Sequence, residues 1–142
     1  MLSFLPPLVR ALIACVLLVA NTLFWCFFLF LFALVRLVLP FKAARHVLDP
    51  ILNAIANRWV SGNSAWMRLT QPTVWTVEGA DQFAYRGWYM VNCNHQSWVD
   101  IFVLQHVFNG RIPLLKFFLK QELIWVPVMG LAWWALDFPF MR

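Results

Sequence analysis

A histidine followed five residues later by an aspartate carries the clearest chemical signal in this sequence. His95 and Asp100 lie in the run NHQSWVD at residues 94–100. A carboxylate beside an imidazole holds the ring in one tautomer and stabilises the imidazolium that forms when the other ring nitrogen takes a proton. Such a pair can deprotonate an alcohol, provided that a loop and the following helix bring the two side chains together.

Strand and helix patterns around this run predict where the pair would sit. Residues 73–79, 87–93 and 111–118 are rich in β-branched and aromatic residues, which favours three strands. Residues 97–108 have apolar positions near helical spacing. The order strand, helix, strand predicts an α/β fold with a largely parallel sheet, and the His95–Asp100 pair would lie where the second strand ends and the helix begins.

The amino-terminal part of the chain predicts a membrane helix. Residues 11–35 are 25 consecutive uncharged residues, and only Asn21 and Thr22 among them are clearly polar. A helix of that length spans about 37 Å, enough to cross a hydrocarbon core of about 30 Å. A cleaved signal peptide is the competing interpretation, but its apolar region is typically about 7–15 residues long. We therefore expect the chain to stay anchored.

The charges that flank this helix predict its orientation. Arg10 lies on one side, whereas Arg36, Lys42 and Arg45 lie on the other. The positive-inside rule places the larger basic cluster, and with it the rest of the chain, in the cytoplasm. Prolines on both flanks leave a second arrangement open, in which the helix bends back within one leaflet and both ends are cytoplasmic.

An amphipathic helix is expected over residues 46–70. Its apolar positions recur at three- and four-residue spacing: Val47, Leu48, Ile51, Leu52, Ile55, Trp59 and Val60. This stripe either packs on the catalytic domain or lies on the membrane surface, and the sequence leaves both open. The run SGNS at residues 61–64 predicts a break within or after this helix.

Composition limits the class of protein and the kinds of molecule that this chain could bind. The chain is 63% hydrophobic and 12% charged, which excludes a disordered protein. Its formal charge of +5 is spread thinly along the chain, so anionic phospholipid is a better partner than nucleic acid. Cys15, Cys26 and Cys93 lack metal-ligand spacing and predict neither a metal site nor a disulfide scaffold.

Three blocks near the carboxyl end resemble one enzyme family. The run NHQSWVD resembles the histidine–four residues–aspartate motif of the glycerolipid acyltransferases, which include the 1-acylglycerol-3-phosphate acyltransferases. The run KQEL at residues 120–123, followed by Pro127 and Gly130, resembles the second block of that family, and FPFMR at residues 138–142 resembles its ending. The resemblance covers residues 88–142 and is best to the bacterial inner-membrane branch.

The resemblance implies roles for particular residues. His95 would be the general base that takes a proton from a lysophospholipid hydroxyl, and Asp100 would orient it. Arg142 would bind the phosphate of the acceptor, with Lys120 as a weaker phosphate candidate or a structural residue. Acyl-CoA or acyl-acyl-carrier protein would be the acyl donor, with no metal and no cofactor. The catalytic region would lie on the cytoplasmic side of the bacterial inner membrane.

One departure from the family pattern qualifies these expectations. The third block of the family, a Glu-Gly-Thr-Arg segment that helps to bind the acceptor phosphate, does not occur in this sequence. We therefore expect a membrane anchor with a basic flank over residues 1–45, an amphipathic helix over 46–70, and the amino-terminal part of an acyltransferase domain over 71–142. The alternative is a catalytically inactive, membrane-anchored fragment or scaffold.

Overall fold

The structure, a computed structural model, describes residues 4–71 and 73–142 and is mostly helical. The first three residues of the predicted anchor, and Pro72 near the start of the predicted acyltransferase segment, lie outside the described residues. The helices and strands are, in chain order, α1 Pro7–Val38, α2 Lys42–Thr70, α3 Trp98–Phe108, β1 Leu119–Lys120, α4 Met129–Ala135 and β2 Phe140–Met141. Two short 3-10 helices lie at Ala80–Gln82 and Gln121–Trp125.

Helix α1 contains the whole predicted membrane segment. It runs without interruption for 32 residues, about 48 Å at 1.5 Å per residue. Pro7 stands at its first position, where the missing N–H of proline costs no helical hydrogen bond. Only Cys26 and Leu29 are buried, and many of the apolar side chains of α1 are exposed. In length and composition α1 is able to cross a membrane.

Helix α2 covers residues 46–70, where a helix was expected, and begins four residues earlier. The predicted break at residues 61–64 was wrong, because α2 continues through them. Two of these residues form the contact between α2 and α1. The Asn21 side chain of α1 lies against Gly62, so closely that a Cβ there would overlap it. Asn21 Nδ2 also donates to Asn63 Oδ1 at 2.9 Å and to the Trp59 carbonyl at 3.1 Å. Small and amide residues of this kind are typical of close helix contacts.

Most of the apolar stripe of α2 is buried or partly buried in the protein, although Val47 near its start is 61% exposed. Leu48, Leu52, Ile55 and Val60 are all buried, and Leu52 is only 2% exposed. A stripe that lay on a membrane surface would instead be uncovered by protein. Of the two arrangements that the sequence left open, the structure therefore favours packing against the rest of the chain.

The chain divides into two compact units, and each contains part of α1 and α2. The first unit comprises residues 1–21 and 59–115 and includes α3. There the Trp66 ring lies 5.9 Å from Phe102 of α3, and its Nε1 donates to the Ala14 carbonyl of α1 at 2.8 Å. The second unit comprises residues 22–58 and 116–142 and includes α4 and both strands.

The expected sheet is reduced to one short parallel ladder. In the described residues, β1 and β2 pair with Leu119 opposite Phe140 and Lys120 opposite Met141. The strands predicted at 73–79, 87–93 and 111–118 do not form, apart from one isolated bridge between Asn109 and Ile112. Strand propensity reflects packing on a pleated sheet, so a segment without a hydrogen-bonded neighbour stays irregular. The α/β expectation is thus only weakly supported.

Candidate active site

The start of α3 positions the two predicted catalytic residues. Ser97 has extended backbone angles, and its Oγ accepts a hydrogen bond from the N–H of Val99 at 3.0 Å. The Asp100 carboxylate accepts in return from the N–H of Ser97 at 2.8 Å. This reciprocal arrangement is a capping box, which satisfies amide groups that a helix start otherwise leaves without partners.

Asp100 also joins the loop before α3 to the histidine. Its Oδ2 atom accepts from the N–H of Gln96 at 2.7 Å and lies 3.5 Å from Nδ1 of His95. The backbone bonds from Gln96 and Ser97 fix the direction of the carboxylate. The structure therefore brings His95 and Asp100 together in the way that their spacing predicts.

Hydrogen bonds keep the Asp100 carboxylate charged. The backbone N–H groups of Gln96 and Ser97 lower its pKa below the ordinary value of 3.8, and the charge of protonated His95 adds to this effect. Slight desolvation acts in the opposite direction without reversing the shift. At neutral pH Asp100 is consequently an anion that faces the imidazole.

The imidazole of His95 is accessible to a reactant. Its side chain is 54% exposed. Because Nδ1 faces the carboxylate, Nε2 is the ring nitrogen that can take a proton from a substrate. A histidine with one nitrogen at a carboxylate and the other toward solvent is suited to general base chemistry on a hydroxyl group.

The two predicted phosphate-binding residues stand at the same end of the β1–β2 ladder. Lys120 is the last residue of β1 and is paired with Met141, and Arg142 follows Met141 directly. Since the strands are parallel, both residues belong to the carboxyl-terminal end of the ladder. Both side chains are exposed. Each residue carries a positive charge, and the guanidinium of Arg142 has several fixed donors that suit a phosphate.

Pro127 and Gly130, the remaining residues of the second block, shape the connection between β1 and α4. Val128 has φ 65° and ψ −56°, and the N–H of Met129 donates to the Pro127 carbonyl at 2.7 Å, which makes a tight γ-turn. A Cβ on Gly130 would overlap the carbonyl of Ile124 in the preceding 3-10 helix. Glycine is therefore required where α4 packs against that helix.

Sequence reasoning missed an ion cluster in the second unit. Arg36 was interpreted only as a charge at the end of a membrane helix. In the structure its Nη2 lies 2.6 Å from Asp137, its Nε lies 3.1 Å from Asp49, and its Nη1 donates to the Ala135 carbonyl at 2.9 Å. Arg36 and Asp137 are 101 residues apart, so no local pattern could have linked them.

His106 has the environment of a structural histidine. It lies on α3, and its Nδ1 atom is buried without a hydrogen-bond partner. Burial lowers the pKa of His106, and the positive charges of Arg68 and Arg111 lower it further. Within residues 4–71 and 73–142, a carboxylate lies beside His95 but none forms an ion pair with His106. In the sequence, Arg111 and not an acid follows His106 five residues later.

Comparison with known protein families identifies the carboxyl-terminal segment. The family model described as Acyltransferase matches residues 74–142, just under half of the chain. The matched segment contains all four predicted site residues, His95, Asp100, Lys120 and Arg142. No curated protein and no solved structure matches the chain significantly.

The match shows that residues 74–142 are similar to the Acyltransferase family, and it supports an enzyme of the transferase class. It indicates acyl transfer as the activity of this segment.

Proposed function

We propose that this chain transfers a fatty acyl group from acyl-CoA or acyl-acyl-carrier protein to the hydroxyl of a lysophospholipid, in phospholipid biosynthesis. The acceptor is of the lysophosphatidic acid type, as in the 1-acylglycerol-3-phosphate acyltransferases. The observation that carries this proposal is the His95–Asp100 pair, with 3.5 Å between Nδ1 and Oδ2. The pair lies at a capped helix start within the segment that the acyltransferase model matches.

The proposed reaction needs one base and no covalent intermediate. Nε2 of His95 takes the proton of the acceptor hydroxyl as its oxygen attacks the thioester carbonyl. The new C–O ester bond forms, the C–S bond breaks, and the imidazolium returns its proton to the leaving thiolate. Asp100 stabilises the imidazolium during this step. The reaction requires neither a cofactor nor a metal ion.

Acceptor binding is assigned to the cations at the end of the β1–β2 ladder. Arg142 binds the acceptor phosphate through its guanidinium, and Lys120 adds a second positive charge. Their exposure and their position at the same end of the ladder support this role.

Membrane attachment is assigned to α1. Its apolar surface and its length support insertion into the bacterial inner membrane, with the catalytic region in the cytoplasm. Such an anchor keeps the enzyme at the bilayer, where both the lysophospholipid and the phospholipid product reside.

An acyl-transfer assay on membranes that contain the full chain tests the proposal. Labelled acyl-CoA and lysophosphatidic acid are the substrates, and acyl-acyl-carrier protein replaces acyl-CoA in a parallel assay. We expect labelled phosphatidic acid from the wild-type chain and a loss of about 10²- to 10⁴-fold for His95→Ala.

The matched control is His46→Ala, which removes an exposed histidine of α2 and should leave the rate unchanged. Product formation that does not depend on His95, or no product with either donor, contradicts the proposal.

A further inference from the structure

All three guanidinium nitrogens of Arg36 contact residues of α2 or residues at the end of α4, within the second unit. Its guanidinium contacts Asp49 of α2, the Ala135 carbonyl of α4 and the Asp137 carboxylate, so each of its three nitrogens has a partner. The Arg36 side chain is only 14% exposed. A flanking charge whose sole role was to set membrane orientation would not need this enclosure.

The backbone at Asp137 shows that its carboxylate is needed there. Asp137 follows the end of α4 with φ 55°, in the left-handed region. Its N–H donates to the Trp134 carbonyl, and the N–H of Phe138 donates to the Trp133 carbonyl, which together form a Schellman motif. Glycine is the residue that this position of the motif favours, whereas an aspartate must accept a strained backbone. The ion pair with Arg36 explains why an acidic side chain is present instead.

Asp137 begins the short path to the proposed phosphate ligand. After it, Phe138 is buried and the Pro139 carbonyl accepts from the N–H of Leu119 at 2.9 Å. Strand β2 then pairs with β1, and Arg142 follows. A strand of only two residues has few hydrogen bonds of its own, so its direction depends on how its start is held.

We propose that Arg36 and Asp137 form a positioning pair, which fixes the start of β2 and thereby aims Arg142 at the acceptor phosphate. This inference rests on the proposed function. It gives the end of the membrane helix a second role, since the same helix that anchors the chain also holds the phosphate-binding strand. Neither residue contacts the reacting atoms.

Hydrogen exchange tests the positioning without any assay of activity. In Arg36→Ala we expect faster exchange at the amides of Leu119 and Phe138, whose hydrogen bonds define the ladder and the helix end. The amides of Gln96 and Ser97, which bind Asp100, serve as the internal reference and should not change. Unchanged exchange at Leu119 and Phe138 would overturn the inference.

Steady-state kinetics tests the consequence for the acceptor. We expect Arg36→Ala to raise KM for lysophosphatidic acid by about 10- to 100-fold, with KM for acyl-CoA unchanged and a much smaller change in kcat. A merely structural role would reduce the amount of folded enzyme and thus the apparent kcat, and would leave both KM values alone. Arg10→Ala, which removes a basic residue near the other end of α1, is the matched control.

Two substitutions of Asp137 distinguish the effect of its ion pair from the effect of its left-handed backbone. Asp137→Gly suits the left-handed backbone but removes the carboxylate, so it should raise the acceptor KM as Arg36→Ala does. Asp137→Asn keeps an acceptor oxygen, so its acceptor KM should lie between the KM of Asp137→Gly and that of the wild type. An acceptor KM that stays at the wild-type value in Asp137→Gly would overturn the inference.

The proposed function can fail independently of the positioning pair. If the wild-type chain shows no turnover that depends on His95, the proposed function fails. Exchange at Leu119 and Phe138 then decides alone whether Arg36 holds β2.

Discussion

Asp100 has two roles at the residue scale, and the two can be separated. Its carboxylate completes the capping box of α3, and the same oxygen faces His95. A capping role needs only a hydrogen-bond acceptor, whereas stabilisation of an imidazolium needs a negative charge. The two roles therefore respond differently to the loss of charge.

Asp100→Asn is expected to lower kcat/KM by about 10²- to 10⁴-fold while α3 stays capped. The amide oxygen still accepts from the N–H groups of Gln96 and Ser97, but it cannot stabilise a positive His95. Ser97→Ala is the complementary variant, which loses a cap worth about 1 kcal/mol and keeps the catalytic pair. Initial rates and thermal unfolding of both variants check this prediction. Wild-type rates in Asp100→Asn would show that the charge has no part in catalysis.

His106 is expected to make the protein sensitive to mild acid. Its pKa is lowered in the folded state, mainly by burial, so the unfolded chain binds a proton near its ordinary value of 6.5 before the folded chain does. Stability should therefore fall as the pH drops below about 6.5, and stop falling below the folded pKa.

His106→Gln should remove this part of the pH dependence, because glutamine does not titrate. His46→Gln, at an exposed position, should retain it. Denaturant unfolding in detergent at a series of pH values between about 8 and 5 measures the difference. Identical pH profiles for His106→Gln and the wild type would contradict the assignment.

At the scale of elements, two helical glycines permit close contacts for different reasons. Gly130 of α4 faces backbone, the carbonyl of Ile124, whereas Gly62 of α2 faces the side chain of Asn21. A side chain can rotate away, although Asn21 would lose its hydrogen bonds with Asn63 and Trp59. A backbone carbonyl within a 3-10 helix cannot move without displacing that helix.

Gly130→Ala is consequently expected to destabilise the protein more than Gly62→Ala. In each helix alanine gains about 0.8–1.0 kcal/mol of helix propensity over glycine. At Gly130 this gain is opposed by overpacking against backbone, which typically costs about 1–3 kcal/mol. Thermal midpoints of the two variants compare the effects. A larger loss in Gly62→Ala would mean that the Asn21 contact is the tighter of the two.

The helical elements were more predictable than the strands. The sequence predicted α3 closely, because its apolar spacing is a local signal. Residues 73–79 and 87–93 carry equally clear strand composition and yet are irregular. A helix satisfies its own hydrogen bonds, whereas a strand depends on a neighbour that composition does not supply.

At the scale of the whole molecule, α1 is the element that supports membrane association. Leu12, Val16 and Phe27 are each at least 60% exposed, and many other large apolar side chains of the helix are also exposed. Apolar surface in water costs about 25 cal/mol for each Å². A helix with this exposed apolar surface, length and composition is compatible with insertion into hydrocarbon.

Labelling of Cys93 checks the proposed orientation. Cys93 is exposed in the first unit, so a variant with Cys15→Ser and Cys26→Ser leaves one reactive thiol. With the catalytic region in the cytoplasm, an impermeant maleimide should label Cys93 in inverted inner-membrane vesicles and not in intact spheroplasts. Labelling in spheroplasts would place this region on the periplasmic side.

A second thiol distinguishes the two arrangements of α1. In the same background, with Cys93→Ser, the exposed Phe4 is replaced by cysteine (Phe4→Cys). A spanning helix predicts labelling of this thiol in spheroplasts. A helix that bends back predicts labelling only in inverted vesicles.

The sequence by itself determined the features that depend on neighbouring residues: the long apolar helix, the amphipathic α2, and the His95–Asp100 pair across one helix start. Tertiary structure alone decided that SGNS continues α2 and that Arg36 reaches Asp137. In both cases the deciding contact joins residues tens of positions apart. Composition and periodicity report the local preferences of a chain, and the partner of a charge or a glycine becomes visible only when distant segments pack together.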